Sequence, residues 1–192
     1  HKKSRHRYPG PMPGGGDLAP GVRYLGRAGA TELAGLRVAF LSGIVAPTSF
    51  EQPLRAPTNL ELARRAGHFR KSEVERARAS ERCELLLLHD WPRGLVPAGA
   101  RNPPPRFWGN AAARGLVEAL KPSWALCGHQ HRAWAATLGV TRVACLADAE
   151  AAESGLRWLQ VEGGAISRVG WWASVKPAWT HGQSWDWACA PA

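Results

Sequence analysis

Three histidines stand where their chemistry could be joined. His89 follows the run Glu84-Leu-Leu-Leu-Leu88, and His129 and His131 lie in Gly128-His-Gln-His131, directly after Ser123-Trp-Ala-Leu-Cys127. A neutral imidazole offers a nitrogen lone pair to zinc, iron and similar ions, and the His-x-His spacing lets two rings of one extended loop approach neighbouring metal positions. Each feature has a plainer reading. A single His after a strand is most often structural or a surface group, and His-x-His by itself more often holds no metal. The conjunction favours the metal, because both motifs follow short apolar runs and come in this order. His6, His68 and His181 have no such setting and read as surface or loop residues.

For the rings to meet, the two apolar runs must be neighbours in one sheet. Four consecutive leucines in a short bounded run suit a strand buried on both faces, ended here by Pro92 and Gly94. Asn110 can cap a helix from Ala111 to Leu120, which Lys121-Pro122 stops. Strand, helix and strand form a crossover unit, so the strands can run parallel with their carboxyl ends on one side. Ligands of open α/β sheets collect on that side.

Upstream, residues 22–25 and 36–41 are strand candidates, and residues 46–58, with three prolines, should be irregular. Residues 59–66 have weak helical character, and Ser72-Glu-Val-Glu75 matches a capping box opening a helix to about Arg82. The first 20 residues are Pro/Gly-rich and read as loop. Downstream, residues 134–138 and 142–146 flank Gly139, and 157–161 and 165–171 flank Glu162-Gly-Gly164, the pattern of two hairpins. The whole reads as α/β with a mixed sheet.

The chain has 192 residues, 25 Lys+Arg and 15 Asp+Glu, a formal charge of +10. That length suits one domain with a real core and excludes a peptide or a disulfide-stapled mini-protein. No run approaches the roughly 18 apolar residues of a membrane span, and the basic start, His1 to Arg7, is not followed by the apolar stretch of a secretory leader. The first residue is not Met, so the natural protein is expected to begin earlier. Cys83, Cys127, Cys145 and Cys189 are widely spaced with no Cys-x-x-Cys pair, which points to a reduced protein of the cytoplasm or, in a eukaryote, the nucleus. The charge is uneven, with 15 basic against 7 acidic groups in residues 1–82 and 10 against 8 beyond. A basic half suits a polyanion-binding surface, although an Arg-, Ala-, Gly- and Pro-rich composition also follows from a GC-rich genome.

At the histidines the sequence becomes familiar. Leu88-His-Asp-Trp-Pro-Arg-Gly94 and Gly128-His-Gln-His131 resemble the last two metal-binding motifs of the calcineurin-like metallophosphoesterases. The His-Asp-Trp-Pro-Arg string is similar to the branch that contains the RNA lariat debranching enzymes. Four further stretches resemble that branch in the same order: Ala19-Pro-Gly-Val-Arg-Tyr-Leu-Gly26, Gly35-Leu-Arg-Val-Ala-Phe-Leu-Ser-Gly-Ile44, His68-Phe-Arg-Lys-Ser-Glu-Val74 and Leu120-Lys-Pro-Ser-Trp124. The resemblance covers about residues 19–172.

It implies a β-sandwich flanked by helices in four layers, with residues 1–172 as the C-terminal part of the catalytic domain. Residues 173–192, a Trp-rich tail holding Trp179, Trp185 and Trp187, stand apart. By the same resemblance His89, His129 and His131 would be ligands of two divalent ions (Mn, Fe or Zn), with His129 and His131 placing one imidazole on each. Asp90 would either orient an imidazole N–H or cap the turn before Pro92. Arg93 would either meet a substrate phosphate or remain a solvated loop residue, and Trp91 would serve packing rather than base stacking.

The implied activity is two-metal hydrolysis of a phosphoester, a phosphodiester of RNA with a 2′,5′ linkage at branch level. Alternatives are a general phosphoesterase acting on nucleotides or phosphoproteins, and a non-catalytic RNA-binding or assembly protein on the same fold. No membrane partner is implied. The sequence also departs from the family. Its Asp-x-His motif, metal-bridging Asp and Gly-Asn-His-Glu motif lie earlier than anything present here. His1 falls near the histidine of the last of these but is followed by Lys2, so no catalytic residue is assigned. The chain is expected to be an incomplete domain, its three imidazoles lacking the bridging carboxylate that two cations need.

Overall fold

Alternation along the leucine run sets the architecture. In the computed structural model, which describes residues 14–53, 67–99, 108–148 and 157–171, Leu85–Leu88 is a strand (β5) with different partners on its two faces. Leu86 and Leu88 face one cluster with Ala39, Leu41, Ala125 and Val143, whereas Leu85 and Leu87 face another with Leu36, Val38, Trp124 and Leu126. A strand apolar at every position needs cover on both sides.

β5 belongs to a six-stranded sheet. Its other members are β3 (Ala28–Leu33), β4 (Leu36–Leu41), β6 (Trp124–Cys127), β7 (Trp134–Leu138) and β8 (Thr141–Cys145), in the order β3-β4-β5-β6-β8-β7. β4, β5, β6 and β8 are mutually parallel, and β3 and β7 close the two edges antiparallel. On one face lie α2 (Lys71–Arg78) and α3 (Ala111–Leu120), which contribute Val74, Ala77, Leu116, Val117 and Leu120 to the core. On the other lies the hairpin β9 (Arg157–Glu162) and β10 (Ala165–Trp171), contributing Leu159, Val161, Ile166 and Val169. The α/β reading with a mixed sheet therefore holds. Among the described residues the layers are three: helices, sheet and hairpin. Each fully buried leucine contributes about 1.5–3 kcal/mol through area removed from water.

Several expectations are corrected. The helix expected from Ser72 to Arg82 runs Lys71–Arg78, with Arg70 as its N-cap residue. Glu73, not Glu75, reaches back, its carboxylate accepting the Arg70 amide at 2.9 Å. The shift follows from a long-range demand: Glu73 also binds Arg27, at the start of β3, in a buried pair. The loop expected over the first 20 residues contains β1 (Gly16–Ala19), which pairs with β2 (Val22–Tyr24). The irregular stretch holds a short helix, α1 (Pro47–Phe50). β3, too polar to signal a strand, forms because β4 offers it a free edge. Residues 59–66 and 173–192 lie outside the described residues.

Candidate functional site

β5 and β6 are hydrogen-bonded neighbours in parallel register, Leu85 opposite Trp124 and Leu87 opposite Leu126. His89 and His129 thus leave the sheet on the same edge. The two loops are tied together where they emerge, Gly128 N–H donating to the His89 carbonyl at 2.9 Å. The Cys145 thiol donates to the Gly128 carbonyl at 3.1 Å from beneath. The imidazoles then meet, with His89 Nε2 3.2 Å from His129 Nδ1 and ring centroids 4.9 Å apart. Burial, aided by repulsion from His129, lowers the pKa of His89 below the usual histidine range and favours its neutral, lone-pair-bearing form.

His131 does not join them. Its Nδ1 lies 2.5 Å from Asp148 Oδ1, just beyond the end of β8. Both side chains are more than half exposed, at 68% and 53%, so the pair adds at most about 1 kcal/mol. Its chemical effect is on the neutral ring: a proton held on Nδ1 by the carboxylate leaves the lone pair on Nε2, the arrangement found around metal-binding histidines. His129 and His131 both have left-handed backbones, at φ +67° and +52°. This conformation costs a non-glycine residue roughly 1 kcal/mol or more, and such strain concentrates at functional sites.

The hydrogen bonds of the Asp90 side chain go to the loops themselves. One carboxylate oxygen accepts the Trp91 amide and the Gln130 side-chain amide, both at 2.8 Å. It thereby clamps one histidine loop to the other. Arg93 is exposed and forms no ion pair among the described residues, while its carbonyl accepts Arg114 Nη1 at 3.0 Å. Trp91 is fully buried, its indole N–H donating to the Leu95 carbonyl at 3.2 Å, so the packing reading holds. His68 lies in an isolated bridge with Ile44. His6 and His181 fall outside the described residues. Asp148 and Gln130 are the participants that the sequence did not reveal, because neither lies in a spacing pattern and each partner is separated from it by 17 or 40 residues.

The donor chemistry fits a divalent transition ion. Two nitrogens each about 2.0–2.1 Å from one ion at a tetrahedral angle lie about 3.3 Å apart, close to the 3.2 Å between His89 and His129. The fit is partial, since among the described residues no three His, Cys, Asp or Glu side chains gather around one point. A cleft of about 400 Å³ opens beside His89 along the carboxyl ends of β4 and β5, lined by Arg23, Tyr24, Gly26, Ser42 and Leu88.

Comparison with known proteins supports the expected kinship. No family model matches the chain. The chain is 31% identical over 153 residues to the lariat debranching enzyme of Danio rerio, an alignment covering 72% of this chain and 27% of that protein. Against the lariat debranching enzyme of Homo sapiens the values are 31% over 156 residues, 72% and 28%. Against that of Schizosaccharomyces pombe they are 28% over 142 residues, 66% and 31%. The chain thus spans less than a third of the length of these curated relatives.

Proposed function

Since this chain is a homologue of the lariat debranching enzymes over some 70% of its length, we propose that it forms part of a metal-dependent phosphodiesterase acting on RNA at 2′,5′ linkages. The observation that carries the reading is the approach of His89 Nε2 to His129 Nδ1, 3.2 Å, at the carboxyl ends of two neighbouring parallel strands. His89, His129 and His131 would hold divalent ions (Mn, Fe or Zn), two in the complete protein. Such ions, when bound, lower the pKa of a water and stabilise charge on phosphate oxygens.

This chain's own residues supply binding and alignment. His89 presents a neutral nitrogen because it is partly buried beside another imidazole. Asp90 and Gln130 fix the distance between the two loops. Arg93, exposed on the same loop as His89, can meet a phosphate oxygen pair through its planar fork. The cleft beside His89 has room for a nucleotide-sized group.

A non-catalytic RNA-binding protein is the second reading, favoured by the incomplete donor set among the described residues. Metal analysis separates the two. The protein as encoded by its gene, loaded with Mn²⁺ or Fe²⁺, should lose bound metal on His89→Ala, His129→Ala or His131→Ala. Metal content unchanged in these variants refutes the site. Hydrolysis of branched RNA is then compared with that of bis-p-nitrophenyl phosphate, and activity confined to the small ester removes the debranching reading.

A further inference from the structure

Beside the histidine loops stands a row of three indoles. Trp91, fully buried, meets Trp134 edge-on with ring centroids 5.6 Å apart, and Trp134 meets Trp108 at 6.5 Å with planes inclined by 37°. Burial decreases along the row. Trp134 is half-buried and Trp108 is 41% exposed. Trp91 lies two residues after His89, and Trp134 three after His131. The row is therefore carried by the chain segments that follow the two histidine motifs, and it ends at a ring partly open to solvent.

Trp108 is anchored although exposed. The residues after it are stitched to the His89 loop, with the Asn110 amide donating to the Trp91 carbonyl at 2.7 Å and the Arg93 amide to the Asn110 carbonyl at 3.1 Å. Gly109 between them adopts φ +85°, and a Cβ there would lie only 2.3 Å from the Trp91 carbonyl oxygen. Asn110, itself buried, caps α3 by accepting the Ala112 and Ala113 amides at 2.7 and 3.2 Å. The backbone that follows Trp108 is thus tied to the His89 loop before any ligand arrives, which lowers the ordering cost of binding there.

We propose that Trp108, backed by Trp134, is a stacking platform for a nucleobase of the RNA strand next to the phosphate held at the histidine loops. The proposal rests on the reading of that site as a phosphodiester site. The neighbouring charges select the occupant: Arg93 and Arg132, both exposed and without ion pairs among the described residues, lie on the same two loops. An exposed ring beside unpaired cations matches single-stranded nucleic acid, which offers a π-face and a phosphate at every step. An apolar protein partner would leave those cations unanswered.

The test measures anisotropy of a labelled oligoadenylate on the full chain, with inorganic polyphosphate as the base-free ligand. Trp108→Ala should weaken oligoadenylate binding about 5- to 150-fold, the range for one lost base stack. Polyphosphate affinity should stay within about twofold. Trp108→Phe should restore most of the loss, and Trp108→Leu should not. Equal loss for both ligands, no loss, or full rescue by Leu overturns the proposal. Bis-p-nitrophenyl phosphate carries no base, so its hydrolysis by the Mn²⁺-loaded protein reports on the hydrolase reading alone. Failure there with Trp108-dependent RNA binding intact counts against the hydrolase and not the platform.

Discussion

Removing the Glu73 carboxylate should be among the most destabilising single changes in this fold. Glu73 is 2% exposed and its partner Arg27 6%. The carboxylate accepts Arg27 Nε at 2.5 Å, Arg27 Nη2 at 3.1 Å and the Arg70 amide at 2.9 Å. In Glu73→Ala the guanidinium keeps its bond to the His68 carbonyl but loses the Glu73 carboxylate inside the protein, and the Arg70 amide at the start of α2 loses its acceptor. Breaking a buried pair from one side costs about 3–5 kcal/mol. For a domain of this size that lowers Tm by about 6–20 °C. The consequence reaches the site, since the Ser42 amide donates to the Arg27 carbonyl at 2.7 Å and both Gly26 and Ser42 line the cleft beside His89.

The assay is urea and thermal unfolding of the wild type, Glu73→Ala, Glu73→Gln and the double variant Arg27→Met/Glu73→Leu. Gln keeps an acceptor for the Arg70 amide and should fall between wild type and Ala. The double variant removes both charges and fills the volume, so it should be more stable than Glu73→Ala alone. A loss below about 1 kcal/mol in Glu73→Ala, or a double variant less stable than it, would refute the assignment of a buried charge pair.

Two further outcomes test the site's framework and the core. Gly109→Ala should cost about 2 kcal/mol or more, because it combines a left-handed backbone with a Cβ 2.3 Å from the Trp91 oxygen; a Tm within about 2 °C of wild type would show that the loop relaxes freely. Burial pushes the Cys83 thiol up to about 11 from 9.0, so native protein at pH 8 should leave Cys83 unlabelled by iodoacetamide while urea-unfolded protein labels it. The raised pKa also contributes stability that is complete below pH 9 and declines as pH rises toward 11. Labelling of Cys83 in the folded state at pH 8, read by peptide mass mapping, contradicts its burial.

Local chemistry was legible where its signal was local. The leucine run marked a strand covered on both faces, Asn110 marked the start of α3, and the strand–helix–strand order put His89 and His129 on one sheet edge. The capping box at Ser72 misled because the same stretch offers two acidic residues, and only the contact with Arg27, 46 residues away, selects Glu73. β3 was invisible for a similar reason: a strand half exposed at a sheet edge needs only a neighbour's free hydrogen bonds, not apolar alternation.

The sequence by itself therefore determined which residue types stand at the strand ends, since hydrophobic periodicity and turn residues act within a few positions. Tertiary structure alone decided how they are used. It brought His89 to His129, turned His131 toward Asp148, and set the Asp90 carboxylate against Gln130. Those choices depend on sheet order and on left-handed backbone at His129 and His131. Neither leaves a trace in spacing, because contacts between side chains 17 to 40 residues apart are fixed by packing rather than by the chain between them.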